Sequence, residues 1–410
     1  MTEPLHVLVY GSVDDGACDS VRLGGYRGLL REHGVDLRTW GELNDYRVDM
    51  PAAYAGRIDD AIRDGVAVID TSPLDWADVL VFRRYYGTGH ACASCDFAAP
   101  DAATLDAHNR STGHPAYGRD RIVRTILGAI ERDPGFLRGR AMLYELDDNL
   151  LEPQPWLGFA RRLEGDRDLV ERFARRADLV TVSTPVLARS VGRYTSSIRV
   201  VRNAVNLDWY RGVEPDDGPR PLSFVYYGVA ARLADYEICR EAVNNAARDA
   251  AGRRVWLGSD APEVRAVVDE ARPYVDTPQA FAATLAALRP AIGLAPVGAD
   301  PYSRCRSELH WLEYSLAGAA TIASQPAGGG PYDVIRDGTD GILARNRAAW
   351  REGLRRLAGS VSLRETLVGR ARERVAAEYD IRDRAAEWAD AFRWAAEHAG
   401  RGASHGASSG

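Results

Sequence analysis

Four residues in one short stretch have types and spacing that could hold a metal. Cys92 and Cys95 are separated by two residues, His108 follows after twelve more, and His114 after another five. Cys-x2-Cys-x12-His-x5-His lies within the spacing of tetrahedral zinc sites with two thiolate and two imidazole ligands. A knuckle presents the sulfurs, a short helix presents the nitrogens, and Phe97 and Leu105 stand where such fingers put their apolar residues. So small an insert has little core, and ligation supplies the missing folding energy. The expectation is one structural Zn2+, because four protein ligands leave no open position for catalysis. An irregular loop with coincidental Cys and His is the alternative.

The elements that would carry this insert follow from the periodicity of the 410-residue chain. That length suits two domains. In the N-terminal half, short apolar runs alternate with amphipathic stretches, predicting strands at 6–12, 35–40, 77–83, 141–146, 179–183 and 198–201. A polar, glycine-containing stretch after the first strand leads into a helix and could face a ligand. Pro, Gly and Asp crowd the segment 202–221, as in a linker. A second series follows: strands at 223–227, 254–257, 291–295 and 320–324, with helices near 235–250, 262–271 and 307–317. Further helices are expected at 348–357, 363–378 and 381–398, before a small polar tail expected to be disordered. The fold class is therefore α/β, in two domains.

With 46% hydrophobic and 27% charged residues, the chain belongs with soluble globular proteins. No apolar run is long enough for a membrane span, and the first residues enter a strand without a basic region, so a cytoplasmic protein is expected. A formal charge of -6 gives no general attraction for nucleic acid. All 52 basic residues are arginines, so a phosphate clamp would have to use guanidinium groups, helix N-termini and backbone N–H groups.

Four stretches carry a resemblance to a known family. They are MLYELDDNL, ending in Asp147, Asp148 and Asn149; RADLVTVSTPVLARSVGRY followed by IRVVRNAVNLDWY; FVYYGVAARLADYE; and SELHWLEYSLAGAATIASQPAGGGPYDVIRDGTDGILA. Together they resemble retaining glycosyltransferases of the GT-B fold, the large group that includes sucrose synthase-like and mannosyltransferase enzymes. The last stretch is the most specific, with a Glu-bearing helix, a Gly, a short strand ending in Ser, and a Gly-rich turn before DG-x-x-G. The resemblance implies two Rossmann-like domains facing a cleft. Residues 1–205 would form the acceptor-side domain, with the zinc-finger-like insertion at 88–118, and 206–380 the nucleotide-sugar domain. A helix at 381–400 would cross back to the first domain, and 401–410 would be the tail.

The resemblance also assigns roles. Gly228, at the end of an apolar strand, would let a diphosphate approach the backbone. Arg232 and Arg306 would bind that diphosphate bidentately and stabilise it as it leaves, with Ser307 beside them. Glu313 matches the second Glu of the family's pair, which binds the ribose hydroxyls, and a carboxylate suits a vicinal diol because it can accept two hydrogen bonds. The first Glu of the pair would fall at Cys305, so either Glu308 substitutes from a neighbouring position or the sugar contact differs. Asp147 and Asp148 would lie on the acceptor side. Solvated surface positions are the alternative for the two arginines, and helix capping for the aspartates.

The function so implied is transfer of a hexose from a nucleotide-diphosphate sugar to an unidentified hydroxyl, with retention. The acceptor could be a glycan or a modified nucleic acid, including a hydroxylated DNA base. The insert is then either a rigid cleft wall or a contact for a macromolecular acceptor; Arg110, Arg119, Arg121 and Arg124 favour phosphate contact, while Asp96, Asp101 and Asp106 oppose it. A sugar-nucleotide epimerase and a non-catalytic binding module are the alternatives from other classes.

Overall fold

A computed structural model describes residues 3–10, 22–44, 47–54, 61, 64–83, 119–155, 160–211, 222–275 and 277–400. The Cys92, Cys95, His108 and His114 quartet, the glycine-containing loop after the first strand and the tail 401–410 lie outside the described residues.

The first sheet has six parallel strands, β1 Leu5–Tyr10, β2 Val35–Thr39, β3 Val79–Arg83, β4 Ala141–Leu146, β5 Leu179–Val182 and β6 Ile198–Val200, in the order β2-β1-β3-β4-β5-β6. Parallel strands need crossovers, and these cover both faces, so β3 and β4 are buried at every position. Alternation sorts the side chains. Leu8, Tyr10, Leu80, Phe82, Met142 and Tyr144 point to one face. There they meet helix α1 of that face, Arg119–Arg132, through Val123, Ile126, Leu127 and Ile130, a 3.6-residue stripe. Phe173, on the helix Ala160–Arg176, stacks on Tyr144 at 5.0 Å on the same side.

The opposite face carries Val7, Val9, Val79, Val81 and Leu143. It is covered by Leu23, Tyr26 and Leu30 of the helix Leu23–Glu32 and, from the far end of the chain, by Ile381, Ala385, Trp388 and Phe392 of the helix Ile381–Glu397. A buried ion pair fastens this last helix: Arg22 Nε donates to Glu145 Oε1 at 2.7 Å, and the Arg22 guanidinium lies 4.7 Å over the Trp388 ring. Arg83, paired in register with Glu145, adds a second guanidinium at 3.3 Å.

The second sheet is also parallel, with β7 Ser223–Tyr227, β8 Arg253–Leu257, β9 Glu270–Arg272, β10 Ile292–Ala295, β11 Ala320–Ser324 and β12 Ile342–Ala344 in the order β9-β8-β7-β10-β11-β12. The sequence reading did not include the helix Pro278–Ala287 or β12, and two of the helices it expected differ. The helix expected at 235–250 is two helices, Leu233–Glu237 and Arg240–Asp249, because Ile238 and Cys239 close tighter i→i−3 turns on Asp235 and Tyr236. The helix expected at 262–271 stops at Arg265, and β9 forms instead. The cause is Asp269, whose carboxylate accepts from the Arg254 backbone N–H at 2.8 Å and from its guanidinium, drawing the following residues onto the sheet edge.

The chain passes between the sheets twice, and the two passages pair: Val205 N–H donates to Tyr379 O at 3.0 Å and Ile381 N–H to Val205 O at 3.1 Å. Four further hydrogen bonds join the sheets' C-terminal loops. Thr184 Oγ1 donates to Cys305 O at 2.9 Å, Asn203 Nδ2 to Ser307 Oγ at 2.9 Å, Arg202 Nη1 to Glu308 Oε1 at 3.0 Å, and Asn149 Nδ2 to Pro301 O at 3.4 Å.

Candidate active site

The candidate residues of the second domain gather where β7 ends. Gly228 follows Tyr227 directly and has φ +152, a value that side chains rarely allow. Its neighbour across the β7–β8 ladder is Gly258, where an added Cβ would come within 2.9 Å of Gly228 O. Two glycines back to back let the strand ends close up, and Trp256 Nε1 donates to Gly228 O at 2.7 Å to hold that turn. The result is a strand end with bare backbone, the geometry at which α/β sheets receive phosphates.

Past Gly228 a short turn brings Arg232 back over the glycine, whose hypothetical Cβ would lie 3.2 Å from Arg232 Cγ. Arg306 reaches the same place from a loop 71 residues beyond Asp235, donating from Nη1 to Asp235 Oδ2 at 2.7 Å. Arg232 Nη1 lies 3.9 Å from that oxygen. Asp235 is 3% exposed, so two guanidinium groups share one buried carboxylate and carry a net positive charge. Burial alone would lower the Arg306 pKa; Asp235 and the surrounding tyrosines outweigh it and hold the group firmly protonated. The pair of arginines is thus fixed, charged and largely covered, with 18% and 14% of the Arg232 and Arg306 side chains exposed. That arrangement can bind a dianion and stabilise charge developing on it.

Glu313 comes from the helix Leu309–Ala317. The position of that helix is set by Tyr314, whose hydroxyl donates to Val225 O at 2.9 Å and whose ring fills the space left by Gly293. One turn earlier, His310 stacks on Tyr227 with ring centroids 4.0 Å apart and planes 6° apart. Burial, then Arg306, push the His310 pKa down to about 3, so the ring is neutral. Its Nε2 lies 3.1 Å from Tyr227 O, and since a carbonyl only accepts, that nitrogen carries the proton. The Tyr227 hydroxyl in turn donates to Glu313 Oε2. Burial pushes the Glu313 carboxyl up to about 7, against the lowering effect of the Tyr227 hydrogen bond.

Gly228, Arg232, Arg306 and Glu313 therefore share one end of the second sheet. Ser307 is next to Arg306, but its Oγ accepts from Asn203 of the first domain, so it belongs to the contact between domains. Asp147 and Asp148 follow β4, at the C-terminal ends of the first sheet's strands; Asp147 is 8% exposed, and its carbonyl accepts from Ser183 Oγ at 2.9 Å. Cys305, in place of a carboxylate, is buried against the first domain, with its sulfur 3.6 Å from Ser190 Oγ. Glu308 is fully buried on Arg202. Neither is turned toward the arginines' shared carboxylate in any hydrogen bond among the described residues. Asp235, Tyr227 and His310 are site residues that the sequence reading did not single out. Asp235 had a local signal in its i+3 spacing from Arg232, and His310 in its spacing of three from Glu313 on one helix. Among the described residues no group of three or more His, Cys, Asp or Glu side chains could hold a metal, and no helix is long and apolar enough to cross a membrane.

No protein-family model and no curated protein sequence matches the chain. Solved structures do. Sucrose-phosphate synthase from Thermosynechococcus elongatus superposes with a TM-score of 0.58 at 14% identity, over 95% of this chain and 98% of that one. A glycosyltransferase from Rickettsia africae ESF-5 gives 0.55 at 9% identity, over 96% and 99%. HepE of Anabaena, in complex with UDP-glucose, gives 0.53 at 14% identity, over 95% and 99%. Likeness at such identities is likeness of fold: two parallel six-stranded sheets, joined by paired crossings and meeting at their C-terminal ends, give this chain the GT-B architecture of those glycosyltransferases.

Proposed function

We propose that this protein is a glycosyltransferase that takes a hexose from a nucleoside-diphosphate sugar and passes it to a hydroxyl acceptor with retention at the anomeric carbon. The observation that carries the reading is the convergence of Arg232 and Arg306 on Asp235 beside Gly228. A donor diphosphate would lie on the Gly228 backbone and accept from both guanidinium groups, which would hold it as the glycosidic bond breaks. Preorganised cations of this kind act on the leaving group without reorganising at the moment of reaction. Glu313 would accept from the ribose, and Asp147 and Asp148 would face the acceptor from the first domain, with Ser307 helping to hold the two domains together.

A uridine-diphosphate sugar is the first donor to test, since the Anabaena neighbour is in complex with UDP-glucose. A panel of nucleotide sugars, read by hydrolysis and by transfer to glycan and hydroxymethylated-DNA acceptors, tests the reading. Turnover with one donor and its loss in Arg306→Ala are expected; binding without turnover of any donor would instead favour a recognition module, and interconversion of donor sugars an epimerase. Cys92, Cys95, His108 and His114 would hold one structural zinc ion, and spacing is the support for that assignment.

A further inference from the structure

Tyr227 is held on every side yet takes no part in the phosphate clamp. His310 stacks on one face of its ring and donates to its carbonyl, Phe281 meets its edge at 5.0 Å and 70°, and Tyr314 at 5.3 Å and 62°. Its hydroxyl is spent on Glu313 Oε2. His310, Glu313 and Tyr314 stand at i, i+3 and i+4 on one helix face, so a single helix supplies both the ring that fixes Tyr227 and the carboxylate that Tyr227 grips. Glu313 is only partly covered, and its Oε1 makes no hydrogen bond among the described residues.

We propose that Tyr227, fixed by His310, is a specificity-determining positioning residue that turns Glu313 to prefer nucleoside diphosphates with a complete ribose diol over their 2′-deoxy counterparts. The inference rests on the reading that Glu313 meets the donor ribose. The physical step is loss of rotational freedom. A glutamate has three rotatable bonds, and an untethered carboxylate would meet a diol in one of many poses. The phenol takes one lone pair of Oε2 and fixes the carboxylate plane, leaving Oε1 and the second lone pair of Oε2 for two hydroxyl donors. A ligand with one hydroxyl leaves one of those acceptors unpaired, which is how a preorganised polar site rejects an analogue lacking a group.

The test is isothermal calorimetry on the full chain with UDP, 2′-deoxy-UDP, GDP, 2′-deoxy-GDP and inorganic pyrophosphate. In the native protein the ribo form of the accepted base is expected to bind at least tenfold more tightly than the deoxy form, about the value of one hydrogen bond. Tyr227→Phe keeps the ring and its stacking; it should bring the ribo-to-deoxy ratio close to one while pyrophosphate affinity stays within about twofold. His310→Gln, which can still donate to the Tyr227 carbonyl but cannot stack, should give an intermediate ratio. Glu313→Ala separates the two layers of argument. If it abolishes the ratio while Tyr227→Phe leaves it at the native value, the positioning role is overturned and the ribose reading stands. A native-like ratio in Glu313→Ala overturns the ribose reading itself. A Tyr227→Phe protein that loses pyrophosphate and nucleotide affinity equally also overturns the proposal, because the residue is then structural.

Discussion

Replacing Glu313 by Gln should make the protein more stable and less able to bind its donor. The carboxyl sits where burial raises its pKa from 4.5 to about 7. The folded state thus holds the proton more tightly than the unfolded chain does. Stability from this group is complete below about pH 4.5 and is lost as pH rises to about 7, after which the native protein carries a buried charge. At 1.36 kcal/mol per pH unit the full difference is about 3 kcal/mol; the carboxylate is partly exposed, and screening by solvent reduces this to about 2 kcal/mol. Gln has nearly the same shape, can still accept from the Tyr227 hydroxyl, and is neutral at every pH. Its advantage over Glu should therefore be small at pH 5 and grow to about 2 kcal/mol at pH 8, or roughly 4–8 °C in Tm for a domain of this size. Urea and thermal unfolding at the two pH values, without ligand, measure it. A stability difference that is the same at pH 5 and pH 8 would refute the assignment of a strained, ionising carboxylate, and undiminished nucleotide binding by the variant would refute its use.

Arg306→Ala should cost about 2–3 kcal/mol in urea unfolding by leaving the buried Asp235 to the longer Arg232 contact, and adding Asp235→Asn should recover much of that stability without restoring donor binding. Gly258→Ala must adopt φ +111 and push against Gly228 O from 2.9 Å; a loss of about 1–3 kcal/mol together with weaker pyrophosphate binding is expected, and normal binding would mean that the β7–β8 turn does not shape the phosphate site. Metal analysis of the purified protein should find one zinc per chain, falling in Cys92→Ser, while nucleotide binding is kept.

The strands that form the sheet centres were readable because their residues are mostly apolar: VLVF before Arg83 and AMLY before Glu145 point to burial on both faces. Edge elements were not. β9 consists of Glu270, Ala271 and Arg272 and owes its place to an Asp269–Arg254 ion pair that has no periodicity to betray it. Site geometry divides in the same way. Gly228 stands out as a glycine ending an apolar strand, whereas the partnership of Asp235 with Arg306 and of Tyr227 with His310 depends on helices and loops arriving from 71 and 83 residues away. No local pattern reports such meetings. Ser307 was legible as a polar neighbour of Arg306, but its turn toward Asn203 is decided by how the two sheets face each other.

The helix Ile381–Glu397 gives the first domain a history as well as a shape. Trp388, Ala389 and Phe392 belong to the same buried cluster as Val7, Val81 and Leu143, yet they are synthesised after the whole second domain. Multidomain chains ordinarily fold their first domain while the rest is still being made. Here part of one face of the first sheet must wait, with only the helix Leu23–Glu32 of its own domain against it, and the buried Arg22–Glu145 pair must wait with it for the indole that later covers Arg22. The second domain therefore matures inside a folding intermediate of the first. Cutting the chain at the linker would not release two stable halves but would leave one of them permanently at that unfinished stage.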